Sequence, residues 1–377
     1  MARRKAYFVL EIADEIVTDT FNPILDRITI HLSAGKSADT AQIDLDDTGG
    51  FLILPGIGDT IRISLGWEGD DATVVFEGTI DDVDSLDDRG SGETLTISAK
   101  SADITKSKLK HRRHVHLDKS TLGDAYQKWG KDAGVKVTVH QDLASISRDY
   151  FGMHGESFLS WAARTAAEYG ATFKVNGTNA ALVPRGGGTA ADGQAVPAIT
   201  VSKGDNLISA RIKPLLGRPQ HKTFHAKWFD KDKAEWNAES EDADYETDAE
   251  AEHTARHPEP DKAKAGKRAH SHKTESGRDR GSGTIEMDGN AAVEPDGPLS
   301  LVGARDGVAG SYVIDSADHS YARGGGWTTT ASVKQPSGSA GKDSRKASSP
   351  STSTPASEPA AAAPAAKPIG QGGIGHA

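Results

Sequence analysis

The sequence predicts an α+β protein that is mainly β: two antiparallel β-domains of barrel or sandwich type, a small α/β domain inserted between them, and a disordered C-terminal tail. Three observations predict it. Apolar and polar residues alternate with period two over residues 7–100 and again after residue 198, between turns rich in glycine and proline. Residues 120–170 change to helical spacing, and residues 336–377 are dominated by Ser, Pro, Ala and Gly. A chain of 377 residues also exceeds what one hydrophobic core usually fills.

The first β-domain is expected over residues 1–105. Its N-terminus, MARRKAYFVLEIADEIV, has basic residues before apolar ones, but Glu11, Asp14 and Glu15 interrupt the apolar run too early for a signal peptide, so it reads as a first strand. RITIHLSA, TAQIDLDD, DTIRISLGW, TVVFEGTIDDVDS and TLTISAKS then alternate as half-buried strands do. Gly49-Gly50, Pro55-Gly56, Gly69-Asp70 and Gly90-Ser91-Gly92 punctuate them with residues that favour turns.

The insertion is expected over residues 106–190. A basic connector, Lys106 to Lys119, leads to Ser120, which is placed to cap a helix whose inner face carries Leu122, Ala125, Tyr126 and Trp129. The strand VKVTVH follows. A second amphipathic helix turns Phe158, Leu159, Ala162, Ala166 and Tyr169 inward and stops at Gly170. ATFKVNG and AALVPRG read as strands paired through the Asn176-Gly177 turn.

The second β-domain is expected over residues 191–335, beyond the linker GGGTAADGQAVPA. A charged interruption at residues 230–280, acidic first and basic later, carries too few apolar residues for a core. Strands resume with GTIEMDG, LSLVGARD, GSYVIDSADHSY and WTTTASV, and residues 336–377 read as a flexible tail.

Composition excludes several chemistries. With no cysteine there is no disulfide scaffold, zinc ribbon or thiol nucleophile. A formal net charge of −10 argues against a general nucleic-acid surface. No run approaches the roughly 20 apolar residues of a membrane helix, so a soluble protein is expected.

The motifs that come near to chemistry fail in detail. His111, His114 and His116 have ligand-like spacing but sit among cations, which oppose a metal. His253 and His257 have zinc-protease spacing, yet Thr254 stands where the general-base glutamate belongs. PSGSAGKDS, residues 336–344, places Pro336 and Asp343 where a phosphate loop needs a glycine and a hydroxyl. No G-x-S-x-G elbow occurs, and Trp129 and Trp161 fall on apolar helix faces, as core residues do.

HSYARGGGWTT, residues 319–329, sets three glycines beside His319, Arg323 and Trp327. A phosphate loop leads from a strand into a helix, whereas this one leads into β-branched and aromatic residues. Gly324, Gly325, Gly326 and Trp327 therefore read as a structural hairpin between the strands Tyr312–Tyr321 and Trp327–Val333, with Ala322–Gly326 as the loop. On this reading His319 moves no proton and binds no metal, and its replacement by alanine is expected to have little effect.

PGIGDTIRISLGW with VVFEGTIDDVDS, then ESFLSWAARTAAEYGATFKV, then GSYVIDSADHSYARGGGWTTTASV resemble the late-control D family, baseplate hub proteins of contractile-tailed phages. The resemblance covers about residues 5–335. It also extends to the hub part of type VI secretion spike proteins. What it implies is two tail-tube-like domains in one chain, an insertion similar to a peptidoglycan-binding module, and three chains in a ring. Such a ring presents six similar surfaces to a hexameric tube and keeps three-fold symmetry for a spike.

The implied partners are two further copies of the chain, the tail tube protein, the central spike protein and other baseplate proteins, with peptidoglycan as a contact of the insertion. No cofactor, no specific nucleic-acid binding and no membrane segment are implied. The net negative charge leads to the expectation of a channel that lets DNA slide. Ile369 and Ile374, the large aliphatics of the tail, are expected to anchor a neighbouring component. The competing classes are a tail-associated cell-wall hydrolase and a plain carbohydrate- or peptidoglycan-binding module. The long charged interruption and the tail depart from the family pattern.

Overall fold

The computed structural model describes residues 4–34, 38–89, 92–102, 108–188, 195–214, 220–245 and 249–342. The first β region holds β1 (Ala6–Ile12), β2 (Glu15–Ile16), a single turn α1 (Thr18–Phe21), β3 (Leu25–Ser33), β4 (Thr40–Asp46), β5 (Thr60–Trp67), β6 (Thr73–Asp88) and β7 (Gly92–Lys100). Their period-two apolar residues all point to one side: β1 buries Ala6, Phe8, Leu10 and Ile12, and β4 buries Ala41, Ile43 and Leu45.

The middle region runs β8 (Arg112–Thr121), α2 (Leu122–Ala133), β9 (Lys136–Val139), α3 (Gln141–Ala144), β10 (Ser147–Ser157), α4 (Phe158–Glu168), β11 (Ala171–Asn176) and β12 (Asn179–Pro184). β8 and β10 form an antiparallel ribbon, and β12 lies between β11 and β9 in a three-stranded sheet. The basic connector is thus largely strand β8: Val115 and Leu117 pack against the core while His114 and His116 face out. The cap of α2 is Thr121, one residue past Ser120, because Thr121 and Asp124 close a capping box. Trp129 and Trp161 meet edge to face at 4.6 Å and are 2% and 1% exposed, so neither is a sugar platform.

The second β region holds β13 (Ile199–Ser202), β14 (Leu207–Lys213), β15 (Thr223–Asp230), β16 (Glu235–Asp242), β17 (Glu252–Thr254), α5 (Lys262–Arg278), β18 (Ser282–Asp288), β19 (Pro298–Val302), β20 (Gly310–Ala322) and β21 (Gly326–Ser337). The charged segment, expected to lack a core, has a small one. β15 is flanked by β16 and β17, and α5 packs on them through Ala265 and Ala269 against Ala226, Ala255 and Trp228. Alanines permit a close helix–sheet approach that hydropathy does not register. Asp261 caps α5 by accepting from the Lys264 amide at 2.9 Å.

The long sheet runs β14-β18-β21-β20-β3-β4-β7-β6-β5-β1-β2, an open antiparallel path and no closed barrel. β19 adds to β20, and β13 pairs with β19 in parallel. The two β regions meet where β20 pairs with β3, from Ser316 opposite Ser33 to Ala322 opposite Arg27. One apolar core runs through both, from Phe8 and Ile43 to Met287 and Val333.

The structured chain also extends past Pro336, where composition placed the start of the tail. Ser337 is in β21, Ala340 is buried, and the Gly341 amide donates to the Gly307 carbonyl at 2.8 Å. Ile369 and Ile374 lie outside the described residues.

Candidate functional site

β20 and β21 pair with Tyr321 opposite Trp327 and Ala322 opposite Gly326, leaving Arg323–Gly325 as the turn. Gly324 and Gly326 have φ of 75° and 82°, where a side chain is strained, whereas Gly325 has no positive φ. The turn is pinned to the first β region: the Arg323 amide donates to Asp26 O at 3.2 Å and its guanidinium to Pro23 O. A strand follows the glycines, so no helix N-terminus faces an anion here.

Behind this turn the motifs from the two ends of the chain interlock. Trp327, 4% exposed, stacks on Trp67 with centroids 5.7 Å apart and planes 29° apart. The Trp67 indole N–H donates to the Gly289 carbonyl at 2.9 Å, and the Gly289 amide donates to the Trp327 carbonyl at 3.0 Å. A Cβ on Gly289 would stand 2.0 Å from Trp327 Cδ2, so only glycine fits beneath the indole. Tyr321 meets Phe8 at 5.3 Å. Trp67 and Gly289 escape sequence reasoning because 222 residues separate them.

His319 is completely buried in this seam. Its Nδ1 lies 2.9 Å from Thr329 Oγ1, which itself accepts from the Asn290 amide at 3.0 Å. The hydroxyl keeps both its proton and a second lone pair for Nδ1, so either neutral tautomer of the imidazole satisfies this contact. Nε2 is buried and makes no hydrogen bond among the described residues, and the Val293 backbone is near the ring. Burial depresses the pKa of His319 to about 4, against a weaker opposing effect of that backbone. Truncation to alanine would open a cavity and strand Thr329, so the expectation of little effect is corrected for stability.

A second cluster ties the insertion to this body. Arg278, at the end of α5 and 3% exposed, donates to Asp296 at 3.1 Å and Asp315 at 3.3 Å. Asp296 also accepts from the Thr172 hydroxyl at 2.9 Å and the Gly186 amide at 3.1 Å. Lys334 reaches Asp315 at 3.3 Å, and Arg185 reaches Glu275 at the same distance. Each charge has an opposite neighbour, as a structural clamp requires.

The remaining candidates separate. His116 stacks on Tyr150 and Tyr150 on His154, with centroids 5.7 and 5.9 Å apart, on the outer face of the ribbon. His253 is in strand β17, with no helix to align it with the exposed His257, and it packs with His221 and His272 at 5.3 and 4.6 Å. Burial and then His221 hold His253 below the usual histidine range, and burial first of all brings His272 to about 4. Among the described residues no group of three or more His, Asp or Glu is arranged to hold a metal.

The fold is shared with solved phage tail proteins. The 43 kDa tail protein of prophage MuSo2 from Shewanella oneidensis superposes with a TM-score of 0.63 at 18% identity, covering 87% of this chain and 98% of that one. An E. coli type VI secretion component, described as structurally similar to the T4 tail proteins gp27 and gp5, gives 0.50 at 12% identity over 85% and 76%. In sequence the chain is 29% identical over 198 residues to a probable baseplate hub protein of Escherichia phage 186, covering 52% of this chain and 50% of that protein. The corresponding protein of phage P2 is 26% identical over the same length. The match thus spans about half the length of these curated relatives, and no family model matches. Over about half its length the chain is thus similar in sequence to probable baseplate hub proteins of phages, the kind of protein its motifs resemble.

Proposed function

We propose that this chain is a structural baseplate hub of a contractile tail, three copies of which form a ring between the hexameric tail tube and the trimeric central spike in the virion. The observation that carries the reading is the fusion of two β regions through β20 and β3 into one sheet with one core. A chain that presents two β bodies rigidly joined is suited to convert three-fold into six-fold contacts. The sheet ends also differ: among the described residues β14 pairs with β18 alone, and β1 meets β2 at Glu11 and Ile12. Unlike ends can associate head to tail, a contact that closes a ring when the rotation between copies completes a circle.

The ring assigns residues to scaffolding and none to catalysis. His319 has no carboxylate to relay a proton, and Arg278 is saturated by aspartates. Native mass measurement with electron microscopy of the purified chain tests the reading, and three-fold rings of three chains are expected. A chain that remains monomeric alone and with tube and spike proteins, or that degrades purified cell walls, would overturn it in favour of a wall hydrolase or binding module.

A further inference from the structure

The loop joining β4 to β5 carries the most exposed apolar run of the described residues. Phe51 is 86% exposed and Ile53 93%, with Leu54 and Ile57 more than half exposed. Burying such side chains contributes roughly 1.5–3 kcal/mol each, and contiguous exposure of this kind marks a contact surface. The loop is also held in place. Leu52 packs on the main core, its amide donates to Asp47 Oδ1 at 3.2 Å, the Gly56 amide donates to Asp59 Oδ2 at 2.8 Å, and the Gly58 amide donates to Ile80 O at 2.8 Å. Its flanks are acidic: Asp44, Asp46, Asp47 and Asp59 occur between Thr40 and Ile61, with no Lys, Arg or His among those residues. Arg323 comes near Asp46, but its guanidinium donates to the Pro23 carbonyl.

Elsewhere on the same chain is a surface pocket of about 480 Å³ between β16 and the segment after β17. Trp236, Ala238, Ala255 and Pro258 supply its apolar walls, and Lys227 and Arg256 its charges. Trp236 is 62% exposed and is braced edge to face by Phe229 at 5.2 Å. No acidic side chain lines the pocket, and neither Lys227 nor Arg256 makes an ion pair among the described residues. A preformed apolar projection with acidic flanks and an apolar pocket with unpaired cations are complementary in both respects.

We propose that the Phe51–Ile57 loop of one copy seats in the Trp236 pocket of the next copy. Both surfaces are open within one chain, so the contact is between chains. It joins two different patches, the heterologous geometry that a ring of three requires. The proposal rests on the ring reading above and adds to it the residues at the joint.

The absence of native cysteine makes the test unambiguous. Ile53→Cys and Ala238→Cys are prepared separately, mixed and mildly oxidised, with thermal unfolding of each variant as a folding control. A disulfide is expected between the two variants and not within either one alone, and the double variant is expected to give a covalent trimer on a denaturing gel. Arg256→Glu is expected to raise the concentration at half assembly by roughly tenfold or more, and Asp59→Lys in the same chain to restore part of it. Three-chain rings that form without the 53–238 link, and that tolerate Arg256→Glu, overturn the joint and leave the ring standing. A 53–53 link shows a symmetric contact and overturns it too, and a monomer with no link removes both.

Discussion

At the scale of single residues the seam is decided by one missing methyl group and one buried ring. Gly289→Ala places a carbon 2.0 Å from the Trp327 indole, which is 4% exposed and stacked with Trp67, so the ring or the backbone must shift. A loss of about 1–3 kcal/mol is expected in urea unfolding, against a smaller effect of Gly325→Ala, whose added carbon meets Ala322 alone, Cβ at 3.2 Å and O at 3.7 Å. Trp327 was legible in the sequence because three glycines announce a turn beside it, whereas Gly289 looks like any loop glycine until its distant partner is in place. His319 sets a pH dependence whose sign follows from its depressed pKa. The unfolded chain takes up the proton near the ordinary value of about 6.5 and the folded chain only near 4. Stability from this group is therefore complete above pH 6.5 and lost as pH falls toward 4, a change of roughly 3 kcal/mol. His272 acts in the same direction and window. Unfolding free energies measured at intervals between pH 7 and 4 are expected to fall, and His319→Gln is expected to flatten the decline. An unchanged slope in that variant removes His319 as its source.

Among elements, legibility followed periodicity. β3, β4, β5 and β7 alternate cleanly and bury Ile28, Ile43, Ile63 and Ile97 at the predicted phase. β8 was hidden because its inward positions include Arg113 beside Val115 and Leu117, so cations mask the alternation. β10 was hidden because Phe151 and Met153 are the apolar residues of its central inward face, set among Arg, Asp, Gly and His. α5 shows no apolar stripe: its buried residues are Ala265, Ala269 and Arg278, and it is fastened by ions at its C-terminal end. That fastening is where a single change should release the element. Arg278→Ala leaves Asp296 and Asp315 without their buried cation and is expected to cost about 3–5 kcal/mol. Hydrogen exchange is expected to rise most in α5 and around Thr172 and Gly186, which share Asp296 with the arginine. Uniform loss of protection across β4 and β7 as well would mean that the clamp does not act locally.

For the molecule as a whole, sequence indicated β regions at both ends and a compact insertion, but the joint between the ends was invisible to it. The β20–β3 register depends on contacts such as His31 with Asp318, which are 287 residues apart, and local pattern carries no information on such pairs. The consequence is an asymmetry in which parts can exist alone. The insertion has its own core, in which Tyr126, Trp129, Phe158, Trp161 and Phe173 pack together and the Tyr126 hydroxyl donates to Ala162 O at 2.6 Å. A fragment of residues 108–188 is therefore expected to fold and to unfold cooperatively. The first β region shares its core with Ile285, Met287, Ile314, Trp327 and Val333, and without β20 its strand β3 would present an unpaired edge. A fragment of residues 1–102 is expected to aggregate or to lack a cooperative transition. Adding residues 195–342 as a separate chain is expected to restore that transition, because the missing half of the core and the partner of β3 both lie there. Calorimetry of the three fragments separates the outcomes: a sharp endotherm from residues 1–102 alone would mean that the two β regions are independent bodies, and the rigid fusion invoked for the hub would have to be abandoned.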